Sequence, residues 1–286
     1  MIDKLEYYYN LTKPYIIKYK NKKYVKSGNE IYLLYQLGGE INKQEIIEAY
    51  ELTKIYPEYE KIILNKSNSI FTVIDKKTYI LIKKKSLKKY INTNRMIMRK
   101  TKFLDKSNWI SLWENKIDYI ETIYKNIKGK YIIIDESIDY FIGMAETSIY
   151  YLQNNLSESD EKNIKYICRK NYDELEYYSP LNIIIDYPER EISEMLKKIF
   201  FENENYYEKA IKYLKRTKIN YNPTKVYARL LFPNYYFNEY INSIKHQDFR
   251  KVLNIINRMN EYEIFLKSIY NIIREKDFKL KEITWL

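Results

Sequence analysis

One aspartate stands at the point where the chain changes from strand to helix. Asp186 follows three isoleucines, Ile183–Ile185, and Pro188 comes two residues later, where it ends the strand. From Glu191 onward the apolar residues recur at helical spacing. A short buried strand that ends in an aspartate and turns into a helix can hold a metal-bound phosphate. The residue types alone favour a simpler role for Asp186 as a helix cap, because aspartate is a common capping residue.

The counts of histidine and cysteine argue against several kinds of catalytic site. His246 is the only histidine and Cys168 is the only cysteine. A single cysteine excludes a disulfide within the chain and a zinc site built on several cysteines, and it is typical of a reducing compartment. The lone histidine argues against a histidine-based triad or metal cluster. We expect Cys168 to be a buried apolar side chain and His246 to lie at an exposed helix start without a catalytic role.

The composition is that of a basic, tyrosine-rich globular protein. Apolar residues make up 45% of the chain, 34 residues are tyrosine, and the formal net charge is +12. Basic and aromatic residues together also occur in nucleic-acid-binding proteins. The lysines are spread through every segment, however, and an AT-rich coding sequence would enrich Lys, Ile, Asn and Tyr together. Because a nucleic-acid footprint is usually clustered on one face, we do not favour nucleic acid as a partner.

The hydropathy pattern predicts neither a membrane span nor an export signal. No stretch approaches the ~20 consecutive apolar residues of a membrane helix. The first residues, Met1–Glu6, lack the regions that define a signal peptide. We therefore expect a protein that is made and folded in a cytosol and has no membrane partner.

The first part of the chain predicts a small β-rich unit with one helix. Turn residues separate strand-like runs, and Asn42 is placed to cap the single helix. The predicted order is strand, strand, strand, helix, strand, strand, which is the layout of the small lobe of a kinase. The predicted strand segments are 15–20, 23–26, 31–37, 62–64 with 70–74, and 79–82.

The rest of the chain predicts helices. Amphipathic stripes run over 109–124 and 138–154, and a helix start at Ser157 leads through Ile164 and Ile167. Further helical segments are expected at 191–202, 204–216, 226–232 and 235–275. We predict an α+β, bilobal protein-kinase-like fold, with a small lobe over 1–90 and a mainly helical lobe over 91–286. The basic stretch 83–106 is the expected linker.

Three segments resemble one protein family. Residues 108–121 are similar to its Trp-x-x-Leu-Trp-Glu-x-Arg-x-Asp-x-x-Glu helix, and residues 137–152 are similar to its Tyr-Tyr-x-Gly-Leu-Ala-Glu segment. Residues 179–194, with 227–233 downstream, resemble its Asp-His-Pro-x-Arg-Asp-Leu-Ala-Glu and Tyr-Ala-Arg-Leu-Leu-Phe-Pro stretches. This is the spore-coat-associated YutH type, which is related to CotS-like coat proteins and to aminoglycoside and choline kinases.

The resemblance implies a place and a set of partners. It implies a protein of a sporulating, low-GC bacterium, one of the Firmicutes, that is made in the mother-cell cytoplasm and then joins the spore coat. Its partners would be other spore-coat proteins. Asp186 would descend from the metal-binding aspartate of a kinase.

The resemblance also shows where a kinase site is incomplete. Such kinases read His-Gly-Asp in the catalytic loop, whereas the corresponding place here holds Arg169, Lys170 and Asn171. Asparagine cannot accept a proton as a carboxylate does, so the role of the aspartate is missing unless Asp173 takes it. The third predicted strand contains Gln36 but no lysine to bind the phosphates.

We interpret the chain as a degenerate, pseudokinase-like coat protein that acts through protein contacts and needs no cofactor. The alternative is an active phosphotransferase that uses ATP and magnesium with an atypical catalytic loop. A basic nucleic-acid-binding protein is a third hypothesis. We assign structural roles to Arg190, Glu191 and Arg229, and we expect Arg229 to be the buried partner of Glu191.

Overall fold

The computed structural model describes residues 2–19, 22–38, 42–85, 95–96, 103–156, 165–172, 175–275 and 280–284, with 95–96 described by backbone only. The chain forms two compact units, which are Met1–Asp105 with Ile167–Ile185, and Lys106–Tyr166 with Asp186–Leu286. The sequence predicts a single boundary near residue 90. The structure divides the chain after Asp105 and assigns a second, later segment to the first unit.

An antiparallel sheet forms most of the first unit. In chain order the elements of this unit begin with α1 (Ile2–Tyr8), β1 (Tyr15–Tyr19), β2 (Lys22–Ser27), β3 (Glu30–Gln36), α2 (Lys43–Ile55), β4 (Lys61–Ile63), β5 (Thr72–Ile74) and β6 (Lys77–Lys84). The strand order in the sheet is β1-β2-β3-β6-β4, and β5 pairs with β6. The predicted order of three strands, a helix and further strands is confirmed, with one more helix in front of it.

The two faces of this sheet bury different partners. Leu81 of β6 lies in an apolar cluster with Leu5 of α1. Its neighbours Ile80 and Ile82 lie in another cluster with Ile46 of α2. Because successive side chains of a strand point to opposite faces, a continuous apolar run in β6 serves both clusters.

A second, three-stranded sheet has the order β7-β8-β9, with strands β7 (Arg95–Met96), β8 (Tyr166–Arg169) and β9 (Ile183–Asp186). Strand β8 corrects the predicted helix through Ile167, while Ile164 and residues 157–160 lie outside the described residues. Ile167 is buried in a cluster with Ile183 and Ile185. Short apolar runs do not distinguish a buried strand from a helix by periodicity, and here burial among other strands decides.

Eight helices form most of the described part of the second unit. They are α3 (Trp109–Ile127), α4 (Ile132–Asn155), α5 (Pro188–Glu202), α6 (Tyr206–Arg216), α7 (Pro223–Leu231), α8 (Asn234–His246), α9 (Arg250–Asn257) and α10 (Met259–Arg274). Helix α3 starts after Asn108, whose side chain caps it, and α5 starts at Pro188, three residues before the predicted start. Proline suits this first position because its missing N–H would have no partner there.

The second unit is organised around an aromatic core. Phe200 of α5 contacts Phe265 and Tyr262 of α10, and Phe141 of α4 stacks on Tyr236 of α8. This confirms the predicted α+β class, with an antiparallel sheet in the first part and mainly helices in the second. Among the described residues, no helix has both the length and the apolar character needed to cross a membrane.

The lone cysteine and the lone histidine lie outside any catalytic grouping in the described structure. Cys168 is buried in β8, as expected. His246 is exposed, but it is the last residue of α8 and does not begin a helix. The expected helix start is therefore wrong. Asp248, which follows shortly after, hydrogen-bonds to Arg250.

Candidate functional site

Asp186 lies at the end of β9, immediately before α5, and is fully buried. Its Oδ1 accepts a hydrogen bond from Nε1 of Trp109 at 2.7 Å and another from the backbone N–H of Tyr187 at 2.8 Å. Its Oδ2 accepts from Nη1 of Arg190 at 3.2 Å. Burial raises the pKa of the Asp186 carboxyl, and the positive charges of Arg190 and Arg229 oppose that shift. Protein donors therefore occupy both carboxylate oxygens.

This geometry bears on the magnesium and ATP that a kinase-like fold implies. A magnesium-binding aspartate has to present at least one oxygen to the ion, which usually keeps several waters. Both oxygens of Asp186 are instead buried against an indole, a backbone amide and a guanidinium. Within the described residues, no group of three or more His, Cys, Asp or Glu side chains is placed to hold a metal. The residues at this position do not fit a magnesium site.

The residues at the catalytic-loop position follow strand β8, and the first of them is buried. Arg169 is fully buried at the end of β8. Its Nε donates to the carbonyl of Tyr177 at 3.3 Å, and its guanidinium carbon lies 3.8 Å from the centre of the Tyr177 ring. A buried guanidinium held by a carbonyl and an aromatic face has a packing role.

The next two residues are exposed and are held through their backbones by Asn182. The N–H of Lys170 donates to the Asn182 carbonyl at 2.9 Å, and the N–H of Asn171 donates to its Oδ1, also at 2.9 Å. In return, Nδ2 of Asn182 donates to the carbonyl of Asn171. Asp173, the possible substitute for the missing catalytic aspartate, lies outside the described residues.

Strand β3, the third strand of the small sheet, contains no lysine. Gln36 of β3 accepts a hydrogen bond from the hydroxyl of Tyr79 at 3.2 Å. On α2, Glu48 accepts from the backbone N–H of Leu104 at 3.2 Å, and Glu51 pairs with Lys54 at 2.7 Å. In a kinase one glutamate of this helix would pair with the phosphate-binding lysine, and here Glu48 and Glu51 both have other partners.

Arg190, Glu191 and Arg229 are all in the second unit, but they do not form the predicted pair. Arg229 donates from Nε to Oε1 of Glu194 at 3.0 Å, and its Nη2 lies at the same distance from that oxygen. The expected pairing of Arg229 with Glu191 is therefore wrong. Glu191 is buried in the first turn of α5, and Arg190 is the partner of Asp186.

Sequence reasoning missed the partners that complete these arrangements. Trp109 was assigned only to an apolar stripe, yet its indole binds Asp186. Asn182 and Glu194 were given no role. A polar residue directly before an all-apolar buried strand was the available signal for Asn182, because such a residue must find hydrogen bonds locally. The only sequence signal for Glu194 was its position in the motif that resembles a known family.

Comparison with solved structures identifies the fold. The aminoglycoside phosphotransferase from Alicyclobacillus acidocaldarius subsp. acidocaldarius DSM 446 is similar, with a TM-score of 0.62 and 10% sequence identity, over 96% of this chain and 97% of that one. The AMP-bound spectinomycin phosphotransferase APH(9)-Ia has a TM-score of 0.54 and 12% identity, over 89% of this chain and 93% of that one. At such identities the likeness shows a shared fold.

Comparison with sequences identifies the family. No curated protein sequence matches this chain. The family described as "Spore coat putative kinase YutH" matches residues 2–269, which is nearly the whole chain. This confirms the resemblance that was drawn from the motifs at residues 108–233. The chain belongs to the spore coat putative kinase YutH family.

Proposed function

We propose that this protein is a kinase-like component of the spore coat that does not transfer phosphate and acts through contacts with other coat proteins. The proposal rests on one observation, which is that both carboxylate oxygens of Asp186 accept hydrogen bonds from the protein. Trp109, Tyr187 and Arg190 occupy its two oxygens in a fully buried setting. Phosphoryl transfer needs a metal-holding aspartate together with the other parts of the site, so losing this one removes the activity.

The loop after β8 supports the same proposal. Asn171 stands at the position of the catalytic aspartate, and Asn182 holds its backbone amide and its carbonyl. An amide side chain cannot act as the general base that accepts a proton from the substrate hydroxyl. The hydrogen bonds of Asn182 have a structural use, since they close the loop between β8 and β9.

The surface supports a role in protein contacts. The net charge of +12 favours association with acidic proteins. Tyrosine is enriched in protein interfaces, because its ring contributes contact area and its hydroxyl a hydrogen bond. Seven large side chains that the described structure exposes are tyrosines: Tyr7, Tyr15, Tyr19, Tyr119, Tyr140, Tyr150 and Tyr207.

Nucleotide binding tests the loss of activity. Calorimetry and thermal unfolding are measured with ATP and magnesium, with the Alicyclobacillus phosphotransferase as a positive control for the assay. We expect no magnesium-dependent stabilisation and no ATP turnover. The alternative of an active phosphotransferase would be established by two results together. The unaltered protein would bind ATP in the presence of magnesium and hydrolyse it or transfer its phosphate, and Asp186→Asn would abolish the binding.

Localisation during sporulation tests the role in the coat. A fluorescent fusion is expected to appear in the mother cell and then at the spore periphery. The variants Lys170→Ala and Asn171→Ala change exposed side chains of the loop after β8. They should localise like the unaltered protein and should complement its absence equally well. A fusion that stays diffuse, or a loss of complementation by correctly localised loop variants, would refute a role based on contacts alone.

A further inference from the structure

A basic cavity of about 170 Å³ lies within the second unit. Residues of α3, α5 and α7 and the first residue of α8 line it, together with Lys106 before α3 and Phe232 after α7. The charged residues that line it are Lys106, Lys116, Arg190, Glu194, Lys197 and Arg229. This set includes five cationic side chains and one carboxylate, that of Glu194. Such an excess of positive charge around one small cavity favours an anionic ligand.

Two of the cations are buried with hydrogen-bond donors to spare. Lys197 is 2% exposed, and Nζ donates to the carbonyl of Phe232 at 2.8 Å. This is one bond from a group with three donors. Arg229 is 5% exposed and directs two of its five N–H groups at Oε1 of Glu194. The remaining donors of these two side chains have no other acceptor among the described residues. Because burying a hydrogen-bond donor without an acceptor costs free energy, they favour a bound anion.

The cations of the cavity also affect one another. Burial, together with the positive charges of Arg229 and Arg190, lowers the pKa of Lys197 to about 8, and the charge of Glu194 opposes this shift. Burial lowers the pKa of Lys116 as well. A negative ligand would relieve this repulsion between like charges.

Aromatic rings form an apolar wall beside these cations. Trp109 and Trp113 are stacked with their ring centres 5.5 Å apart, and Trp113 stacks on Phe232 at 4.5 Å. The volume is close to that of an engineered cavity of about 150 Å³ that holds benzene. It is below the usual range of sites for drug-sized ligands, about 300–1,000 Å³. The cavity therefore suits one charged group on a small body and is too small for a nucleotide.

We propose that this cavity binds a phosphomonoester. A phosphate group carries about −1.5 to −2 charges near pH 7 and offers three acceptor oxygens, which matches the excess of cations better than a single carboxylate. The guanidinium of Arg229 can donate two parallel hydrogen bonds to phosphate, and Lys197 supplies a point charge at depth. Lys116, Lys106 and Arg190 also line the cavity and are partly exposed. The inference is independent of phosphotransfer.

The ligand chemistry has two sources, a free small metabolite or a phosphorylated side chain of a partner protein. Titrations with inorganic phosphate and glycerol 3-phosphate represent the first source. Titrations with N-acetyl-phosphotyrosine amide and N-acetyl-phosphoserine amide represent the second. N-acetyl-tyrosine amide is the uncharged control. Because two of the three tryptophans line the cavity, intrinsic fluorescence reports binding and calorimetry gives the affinity.

The variants separate specific binding from general attraction to a basic protein. Lys197→Met removes the buried charge and should weaken binding at least about tenfold, as expected for a charged hydrogen bond. Lys116→Gln changes a partly exposed residue and should weaken it about two- to fivefold. Lys251→Gln is the matched control, since it removes one charge from a highly exposed lysine on α9 that does not line the cavity. It should leave the affinity unchanged.

The outcomes decide the proposal. Millimolar or tighter binding of a phosphomonoester that Lys116→Gln weakens and Lys251→Gln does not would support it, even if Lys197→Met fails to fold. Preference for the amino-acid phosphates would identify a partner protein as the source, and preference for glycerol 3-phosphate would identify a metabolite. Absence of binding by every phosphate probe, or equal weakening by Lys116→Gln and Lys251→Gln, would overturn it.

Discussion

Arg229 on α7 holds Glu194 on α5 with two nitrogens, both 3.0 Å from the same carboxylate oxygen. Both side chains are buried. Burial would raise the pKa of Glu194, but the charges of Lys197, Arg229 and Arg190 hold it below its ordinary value. The pair also lines the basic cavity, with Arg229 packed 4.8 Å from the ring centre of Trp109. This ion pair links two helices that are distant in sequence.

The first prediction concerns the energetic coupling of this pair. A double-mutant cycle with Arg229→Met and Glu194→Gln should give a coupling of about 2 kcal/mol or more, because each partner satisfies the other in a buried setting. Urea unfolding measures the four proteins. The parallel cycle of Arg229→Met with Glu191→Gln should give no more than about 0.5 kcal/mol. A larger coupling for Glu191 than for Glu194 would contradict the structure.

The second prediction concerns the indole that binds Asp186. Trp109→Phe keeps an aromatic ring but leaves Oδ1 of Asp186 with one donor fewer, which should lower the free energy of unfolding by about 1.5–3 kcal/mol beyond the packing loss. Trp113→Phe is the matched control, because Trp113 is a neighbouring indole that stacks on Trp109. Equal losses in urea unfolding for the two variants would show that the hydrogen bond contributes nothing.

The third prediction compares neighbouring lysines on β6. Lys84 pairs with Glu60 at 2.6 Å, with both side chains 1% exposed, whereas Lys83 pairs with Glu30 at the surface. Lys84→Met should lower the free energy of unfolding by about 3–5 kcal/mol, because it leaves the buried carboxylate of Glu60 without its partner. Lys83→Met should cost less than about 1 kcal/mol.

A second substitution checks the cause of that loss. Burial raises the pKa of the Glu60 carboxyl, while the charge of Lys84 opposes the shift. Adding Glu60→Leu to Lys84→Met should therefore restore most of the lost stability, since no buried charge remains. Thermal or urea unfolding measures the single and double variants. A double variant less stable than Lys84→Met would mean that the buried charge is not the source of the loss.

The fourth prediction is a pH dependence. The pKa of Lys197 is lowered to about 8 in the folded protein from an ordinary value of 10.5. Between these values the unfolded chain binds more protons, so stability rises with pH and the cost of the buried charge is greatest below pH 8. The stability of the protein relative to Lys197→Met should therefore rise between pH 8 and 10.5, by at most about 1.4 kcal/mol per unit.

The comparison with the variant matters because other groups titrate in the same range. Burial raises the pKa of several tyrosines, including that of Tyr236 to about 12, which lowers stability as pH rises above their ordinary values. Taking the difference between the protein and Lys197→Met at each pH removes this shared effect. Urea unfolding at intervals of half a pH unit gives the curve. A flat difference would show that Lys197 keeps an ordinary pKa.

The sequence was sufficient for the order of most elements, although it did not predict α1 and it predicted a helix where β8 lies. Alternating apolar residues and turn residues predicted the strands of the small sheet, and the 3.6-residue period predicted α3 and most of α4. The sequence also placed Asp186 at the end of a buried strand, because three β-branched residues favour a strand and the proline that follows ends it. These features are local, so the residues that determine them lie next to one another in the chain.

Tertiary structure alone decided what the site residues contact. Glu191 and Glu194 are three residues apart and therefore neighbours on the surface of one helix, so spacing could not show which of them faces Arg229. Trp109 and Asp186 are 77 residues apart, and only the packing of the second unit brings the indole to the carboxylate. Strand β8 is a strand because its burial against β9 overrides a weak local preference. The sequence determined most of the elements and the family motifs, while long-range packing determined that both carboxylate oxygens of Asp186 accept hydrogen bonds.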